Sequence, residues 1–252
     1  MKRIIKTFAL GCFAIGMASC GSTAPAEPNT LTEQEKKDGF VLLFNGKDFT
    51  GWRGYMKNKV PSAWSIEDGA IKISGSGAGE AGAKEGGDII FDKKFKNFEL
   101  TFEWKVSEGG NSGIFYLGRE VEGEPIYSSA PEYQVLDNDN HPDAKLGKDN
   151  NRKSASLYDL IPAVPQNAKP HGEWNSGSIM VYKGTVIHGQ NGANVVEYHL
   201  WTDEWKKMVA DSKFRNWENF INAGGDEREG YIGLQDHGDD IWFRNIKIRE
   251  MK

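Results

Sequence analysis

The chain has 252 residues, 27% of them charged and 12% aromatic, with a formal net charge of −5, a length that suits one large domain or two small ones. It carries no basic cluster, so it lacks the local Lys/Arg surplus that phosphate-backbone binding needs, and nucleic acid is excluded as a partner. Its supply of Val, Ile, Leu and aromatic residues excludes a disordered chain, and the 30 glycines are assigned to turns and loops.

Lys2, Arg3 and Lys6 precede an apolar run from Phe8 to Gly16 and then Met17-Ala18-Ser19-Cys20. This is the layout of a secretory signal whose apolar part is too short to span a bilayer as a helix. Small residues directly before Cys20 resemble the bacterial lipobox, in which that cysteine carries the lipid. We therefore expect a signal peptide over 1–19, a lipidated Cys20 with a flexible tether over 20–38, and a folded domain over 39–252. The expected location is the bacterial cell envelope, facing the periplasm, with membrane contact through the lipid alone. A folded part without cysteine has no disulfide, no thiol catalyst and no Cys-based zinc site.

Phe40 to Phe44 is a short apolar run stopped by Asn45-Gly46, and Trp64 to Ile73 is two alternating runs around Asp68-Gly69; both read as hairpin elements. Gly75 to Gly87 reads as a mobile loop, without the Lys-Ser/Thr ending of a phosphate cradle. Phe98 to Val106 alternates strictly, placing Phe98, Leu100, Phe102 and Trp104 on one face and charged or polar residues on the other. Further strands are expected at 113–117, 132–136, 178–182, 185–188, 195–200, 231–235 and 241–248. Asp203 to Lys213, capped by Thr202, is the single expected helix, with Trp205, Met208 and Val209 at helical spacing. Many short strands with one minor helix predict an all-β sandwich or jelly roll of two antiparallel sheets. The polar, Pro-containing stretch from Asn138 to Lys169 is suited to walling a binding groove.

Chemistry is then sought on the polar faces. Alternation in the 132–136 strand puts Tyr133 and Val135 in the core and aims Glu132 and Gln134 together at the opposite face, although an exposed edge strand alternates in the same way. The last two strands are read as a pair that brings His237 and Arg244 together near Gln235; a histidine there suits proton transfer and is equally at home on a surface turn. His188 and Asn191 flank a turn that they either decorate or use, and the same holds for Asn111 among its glycines. Tyr158 and Trp174 are candidate sugar-stacking platforms, with a core or rim position as the ordinary alternative.

The ordered set Asn45-Gly46-Lys47-Asp48-Phe49-Thr50-Gly51-Trp52, Phe98 to Trp104, Gly110-Asn111-Ser112-Gly113-Ile114-Phe115, Glu132 to Asp137 and Ile241 to Ile248 resembles the 3-keto-disaccharide hydrolase family over nearly all of the mature chain. The resemblance implies a concanavalin A-like jelly roll, secreted or lipid-anchored, acting on glycosides already oxidised at C3. A C3 ketone acidifies the C2 hydrogen, so a base can form an enolate that expels the C1 substituent, and water then adds to give net hydrolysis. That chemistry calls for a base, an enolate stabiliser and an acid. Glu132 or His188 is the candidate base and Arg244 with His237 the stabiliser. Asn111, Gln134, Tyr158, Trp174 and Asn191 are candidate substrate-binding residues. A divalent metal held by Glu132, His188 and His237 is an alternative electrophile. Two rivals remain: a two-carboxylate glycosidase using Glu132 with Glu103, and a carbohydrate-binding lectin without catalysis.

Overall fold

A computed structural model describes residues 27–78 and 82–252; the expected signal peptide and the expected lipidation at Cys20 lie outside them. Strands are labelled in chain order, and every pairing is antiparallel. The larger sheet runs β11 (Ala193–His199), β10 (Thr185–Gln190), β9 (Asn175–Tyr182), β6 (Phe98–Val106), β13 (Ile241–Glu250), β4 (Ala70–Ile73) and β3 (Trp64–Glu67), with β1 (Val41–Leu42) also pairing on β13. The smaller sheet runs β2 (Trp52–Gly54), β5 (Ile89–Phe95), β12 (Gly230–Leu234), β7 (Asn111–Gly118) and β8 (Glu132–Leu136). The expected all-β fold of two antiparallel sheets is present, as a concanavalin A-like jelly roll.

The two-residue period of β6 does what its pattern demands: Phe98, Leu100, Phe102 and Trp104 are buried between the sheets, and Glu99, Thr101, Glu103 and Lys105 face outward. From the smaller sheet Tyr133 meets Phe102 edge-on at 5.1 Å, and Ile114, Tyr116 and Ile232 complete that side of the core. The Asp68-Gly69 turn closes the β3–β4 hairpin with both residues at positive φ, the conformation such a two-residue turn requires. Asn45-Gly46, by contrast, closes no hairpin. The Asn45 side chain accepts from the backbone N–H groups of Lys47 and Asp48, and β1 pairs with β13 at the far end of the chain.

Two further expectations change. The last two strands are not partners, because β12 lies in the smaller sheet and β13 in the larger. Three α-helices are described instead of one. α1 (Glu33–Lys37) has a complete capping box between Thr32 and Glu35, and Glu35 bonds Lys247 at 2.7 Å, so residues in the expected tether rest on β13. α2 (Asp203–Ala210) is capped by Thr202 as expected and ends at Asp211; α3 (Glu218–Ile221) follows it.

An aromatic stack fastens α2 and α3 to the larger sheet. Tyr198 stacks on Trp205 at 5.6 Å, Trp205 on Phe220 at 5.7 Å, and Phe220 on Phe214 at 4.3 Å, while the Trp205 indole N–H donates to Ile221 O at 2.8 Å. Trp205→Ala should cost about 3–5 kcal/mol, read as a lower denaturation midpoint; an unchanged midpoint would show that the stack does not hold this segment.

Candidate active site

A cavity of about 520 Å³ opens on the face of the smaller sheet that points away from the larger one. Its floor carries Asn111, Glu132 and Gln235. One wall is the segment around α3, with Lys213, Phe214 and Trp217, and Tyr158 closes another side. Asp88 and His237 stand at the end formed by the glycine-containing loop and the β12–β13 connection.

Glu132 and Gln134 project to this face because Tyr133 and Val135 between them are drawn into the core. The Glu132 side chain lies flat over Gly113 on β7, where any Cβ would collide with its carboxylate. With its amide oriented to suit its neighbours, Gln134 donates to Glu132 Oε1 at 2.9 Å and to Ser112 O at 3.2 Å. Burial dominates the electrostatics and pushes the Glu132 carboxyl up to about 8; Lys213 pulls the other way, while Asp88 and Asp143 add to the rise. Burial also raises Asp88 to about 7, opposed by the backbone N–H of Asp236 and reinforced by the Asp236 charge. Lys213 is itself shifted downward by burial, and its ammonium sits 4.1 Å from the centre of the Tyr158 ring.

Neighbouring loops hold these groups in place. Asp236 accepts backbone N–H bonds from Ala83, Gly87 and Gly238, so the described part of the glycine-containing loop is tied down rather than loose. Arg152 bridges Asp143 at 2.7 Å and Asp159 at 2.5 Å, and the Tyr158 hydroxyl donates to Asp143 Oδ2 at 2.9 Å. The 138–169 stretch thus supplies a wall, as its composition suggests.

Of the residues singled out from sequence, the cavity brings together Glu132, Asn111, Tyr158 and His237, and Gln134 reaches Glu132 from beside it. Four others lie elsewhere. His188 is enclosed between the sheets, bonded to the Tyr116 hydroxyl at 2.8 Å and to Ala155 O at 2.9 Å, and burial pushes it down to about 4, leaving it a neutral core residue. Arg244 is on the outer face of the larger sheet, paired with Glu103 at 2.7 Å and packed 4.0 Å from the centre of the Trp174 ring. That contact places Trp174 on the larger sheet as well. Asn191 is spent on its turn, bonding Asn167 O, Asn175 Oδ1 and the Ser176 N–H. The metal set Glu132, His188 and His237 is therefore not assembled, and Glu103 does not share a site with Glu132. Asp88 and Lys213 are the site residues that sequence reading missed, because they sit on irregular segments where no periodicity marks them; Gln235 lies beside His237 in the cavity, as read.

An acid–base cavity on the smaller sheet of a concanavalin A-like jelly roll is the class of protein that this geometry defines. The model of the 3-keto-alpha-glucoside-1,2-lyase-like domain matches residues 39–249. A protein of Bacteroides thetaiotaomicron named 3-keto-disaccharide hydrolase is 62% identical over 243 residues, covering 90% of this chain and 84% of its own. Among solved structures, two Parabacteroides distasonis proteins described provisionally as glycosyl hydrolases superpose with TM-scores of 0.78 and 0.65. They share 31% and 26% identity, and the matches cover 90% and 84% of this chain and 100% and 99% of theirs. The chain belongs to the 3-keto-disaccharide hydrolase family.

Two predictions follow from Glu132. Gly113→Ala should displace its carboxylate, lower turnover and cost about 1–3 kcal/mol of stability through the collision with Glu132; full activity would show that the carboxylate position is not critical. A carboxyl raised from 4.5 to about 8 in the folded state favours folding through its protonated form. That contribution is complete below pH 4.5 and is lost as pH rises to about 8. Glu132→Gln should therefore gain stability over the parent across this window in pH-resolved denaturation, and parallel curves would refute the shift.

Proposed function

We propose that the protein cleaves glycosides that carry a ketone at C3, with Glu132 as the base that removes the C2 proton. The observation that carries this reading is a desolvated carboxyl with a raised affinity for protons, laid on the cavity floor. The name of the Bacteroides relative supports the substrate class. In the proposed first step the C2–H pair becomes an enolate over C2, C3 and the ketone oxygen, and the proton passes to Glu132. The enolate then collapses, the C1–O bond breaks, a C1–C2 double bond forms and the C3 carbonyl returns. The departing oxygen takes a proton from Asp88, whose raised affinity keeps it partly protonated near neutrality. Water completes the sequence, its hydroxide adding to C1 as its proton passes to Asp88 and the Glu132 proton returns to C2, which gives net hydrolysis and restores both carboxyl groups.

Lys213 takes the stabilising role expected of Arg244, because it is the cavity cation whose charge acts on Glu132. Asn111 and Gln235 offer amides to sugar hydroxyls and Trp217 offers a ring face, while the Tyr158 ring, expected to stack on sugar, holds Lys213 in the cavity. Basic residues, an apolar run and Ala18-Ser19-Cys20 support export and lipid attachment at Cys20. The two-carboxylate rival is less well served, since Glu103 is committed to Arg244 on the other sheet.

A glucoside and its 3-keto counterpart, incubated in parallel with the protein, test the reading. Only the keto compound should be consumed, with transient enone absorbance, and Glu132→Gln should lower the rate by about 10²–10⁴; cleavage of the plain glucoside would overturn the elimination route. The pH dependence gives a second check. Turnover needs Glu132 ionised while Asp88 keeps its proton, so the rate should peak between about pH 7 and 8 and fall on either side, and Lys213→Met should move the alkaline limb to higher pH by removing the charge that favours the Glu132 carboxylate. A limb that stays in place would separate Lys213 from Glu132.

A further inference from the structure

At the end of the cavity stands a group of side chains that the acid–base scheme leaves unused. We propose that His141, His237 and Asp239 form a binding site for one divalent transition-metal ion. Their donor atoms lie within 4.8 Å of one another, and they come from two loops that meet here. His141 follows β8 and caps the short 3₁₀ turn Pro142–Lys145; His237 and Asp239 belong to the β12–β13 connection. The imidazoles face each other edge to face with centroids 6.1 Å apart.

Each donor is presented rather than consumed. His237 Nδ1 is buried and has no hydrogen-bond partner, an arrangement that costs free energy unless something else occupies the nitrogen. Asp239 Oδ2 accepts the Asn111 N–H at 3.1 Å, which orients the carboxylate and leaves its other oxygen for a second partner. The Asp143 N–H donates to His141 Nδ1 at 3.1 Å, so the neutral ring carries its proton on Nε2. Metal loading must displace either that bond or that proton, which makes His141 the weakest of the three ligands. Donors about 2.1 Å from a shared ion stand roughly 3–4 Å apart, and modest rotation of these half-buried side chains closes the remaining gap.

Two imidazoles and one carboxylate suit Mn²⁺, Fe²⁺, Co²⁺ or Zn²⁺ better than Ca²⁺ or Mg²⁺, which prefer all-oxygen sites. Three protein donors leave coordination positions for water or a sugar carbonyl oxygen, and His237 lines the cavity. The site does not depend on Glu132 being the base.

Co²⁺ added to the chelator-treated full chain provides the probe, followed by calorimetry and by its visible absorption. One ion should bind per chain, with absorption unlike that of the aqueous ion. His237→Gln and Asp239→Asn should each weaken binding at least about tenfold, His141→Gln should weaken it less, and Glu132→Gln should leave it unchanged. A Co²⁺ spectrum identical to that of the free ion, or equal binding by the His237 and Asp239 variants, would overturn the site. Should a variant fail to fold, the parent still decides, because bound Co²⁺ must shift the ring-proton resonances of His141 and His237 and an adventitious ion elsewhere must not. Turnover of a 3-keto glycoside by the chelated protein, with loss in Glu132→Gln, would leave the proposed base standing even if the metal site fell.

Discussion

The placement of one carboxyl group out of water governs much of this molecule. An ionised carboxylate moved into an apolar surrounding without a full partner is costly, and the group answers by holding its proton. Glu132 is in that position because the middle of a sheet lies beneath it and irregular segments lie above it. Gly113 lets the side chain lie flat on the strands, Gln134 supplies one hydrogen bond, and Lys213 offsets part of the lost hydration from a distance. A fully formed ion pair would have returned Glu132 to an ordinary, weakly basic carboxylate. The cover over it is expensive to order, and the stack from Tyr198 through Trp205 and Phe220 to Phe214 supplies apolar burial that offsets this cost.

The architecture was legible where side chains repeat every two residues. The β6 span and the β8 span agree with their patterns to the residue, and from β8 alone the common aim of Glu132 and Gln134 could be read. Pattern failed where sequence neighbours belong to different layers. Gln235 and Arg244 stand only nine positions apart, yet the chain crosses between sheets in that interval, so Arg244 turns to the far side of the molecule. The reading failed again at His188. His188 alternates in step with the buried Val186, so the imidazole fills the interior beside Tyr116 instead of facing a groove; reading it as a turn residue overlooked that alternation. Asp88, His141 and Lys213 had no periodic signal, because the folding of loops, not the repeat of strands, brings them together.

Asp236 shows how little sequence such an assembly needs. Its carboxylate gathers three backbone N–H groups, while its own N–H is donated to Asp88 at 2.9 Å. One residue thus fixes the glycine-containing loop, the orientation of a cavity carboxyl and the path of the chain into His237 and Asp239. The glycines are needed here for approach as well as for turns, since a Cβ on Gly86 would strike the Asp236 carboxylate.

The N-terminal segment bears on orientation. Asn29 and Asn245 exchange hydrogen bonds, Asn29 N–H to Asn245 Oδ1 at 2.5 Å and Asn245 N–H to Asn29 Oδ1 at 2.9 Å, and Glu35 bonds Lys247 a few residues further on. The described chain therefore begins against the larger sheet, whereas the cavity opens from the smaller one. If the residues ahead of position 27 were secured to a surface, the domain would stand with its sheets stacked between that attachment and the cavity mouth. Substrate would then approach from the open side, unobstructed by whatever holds the protein.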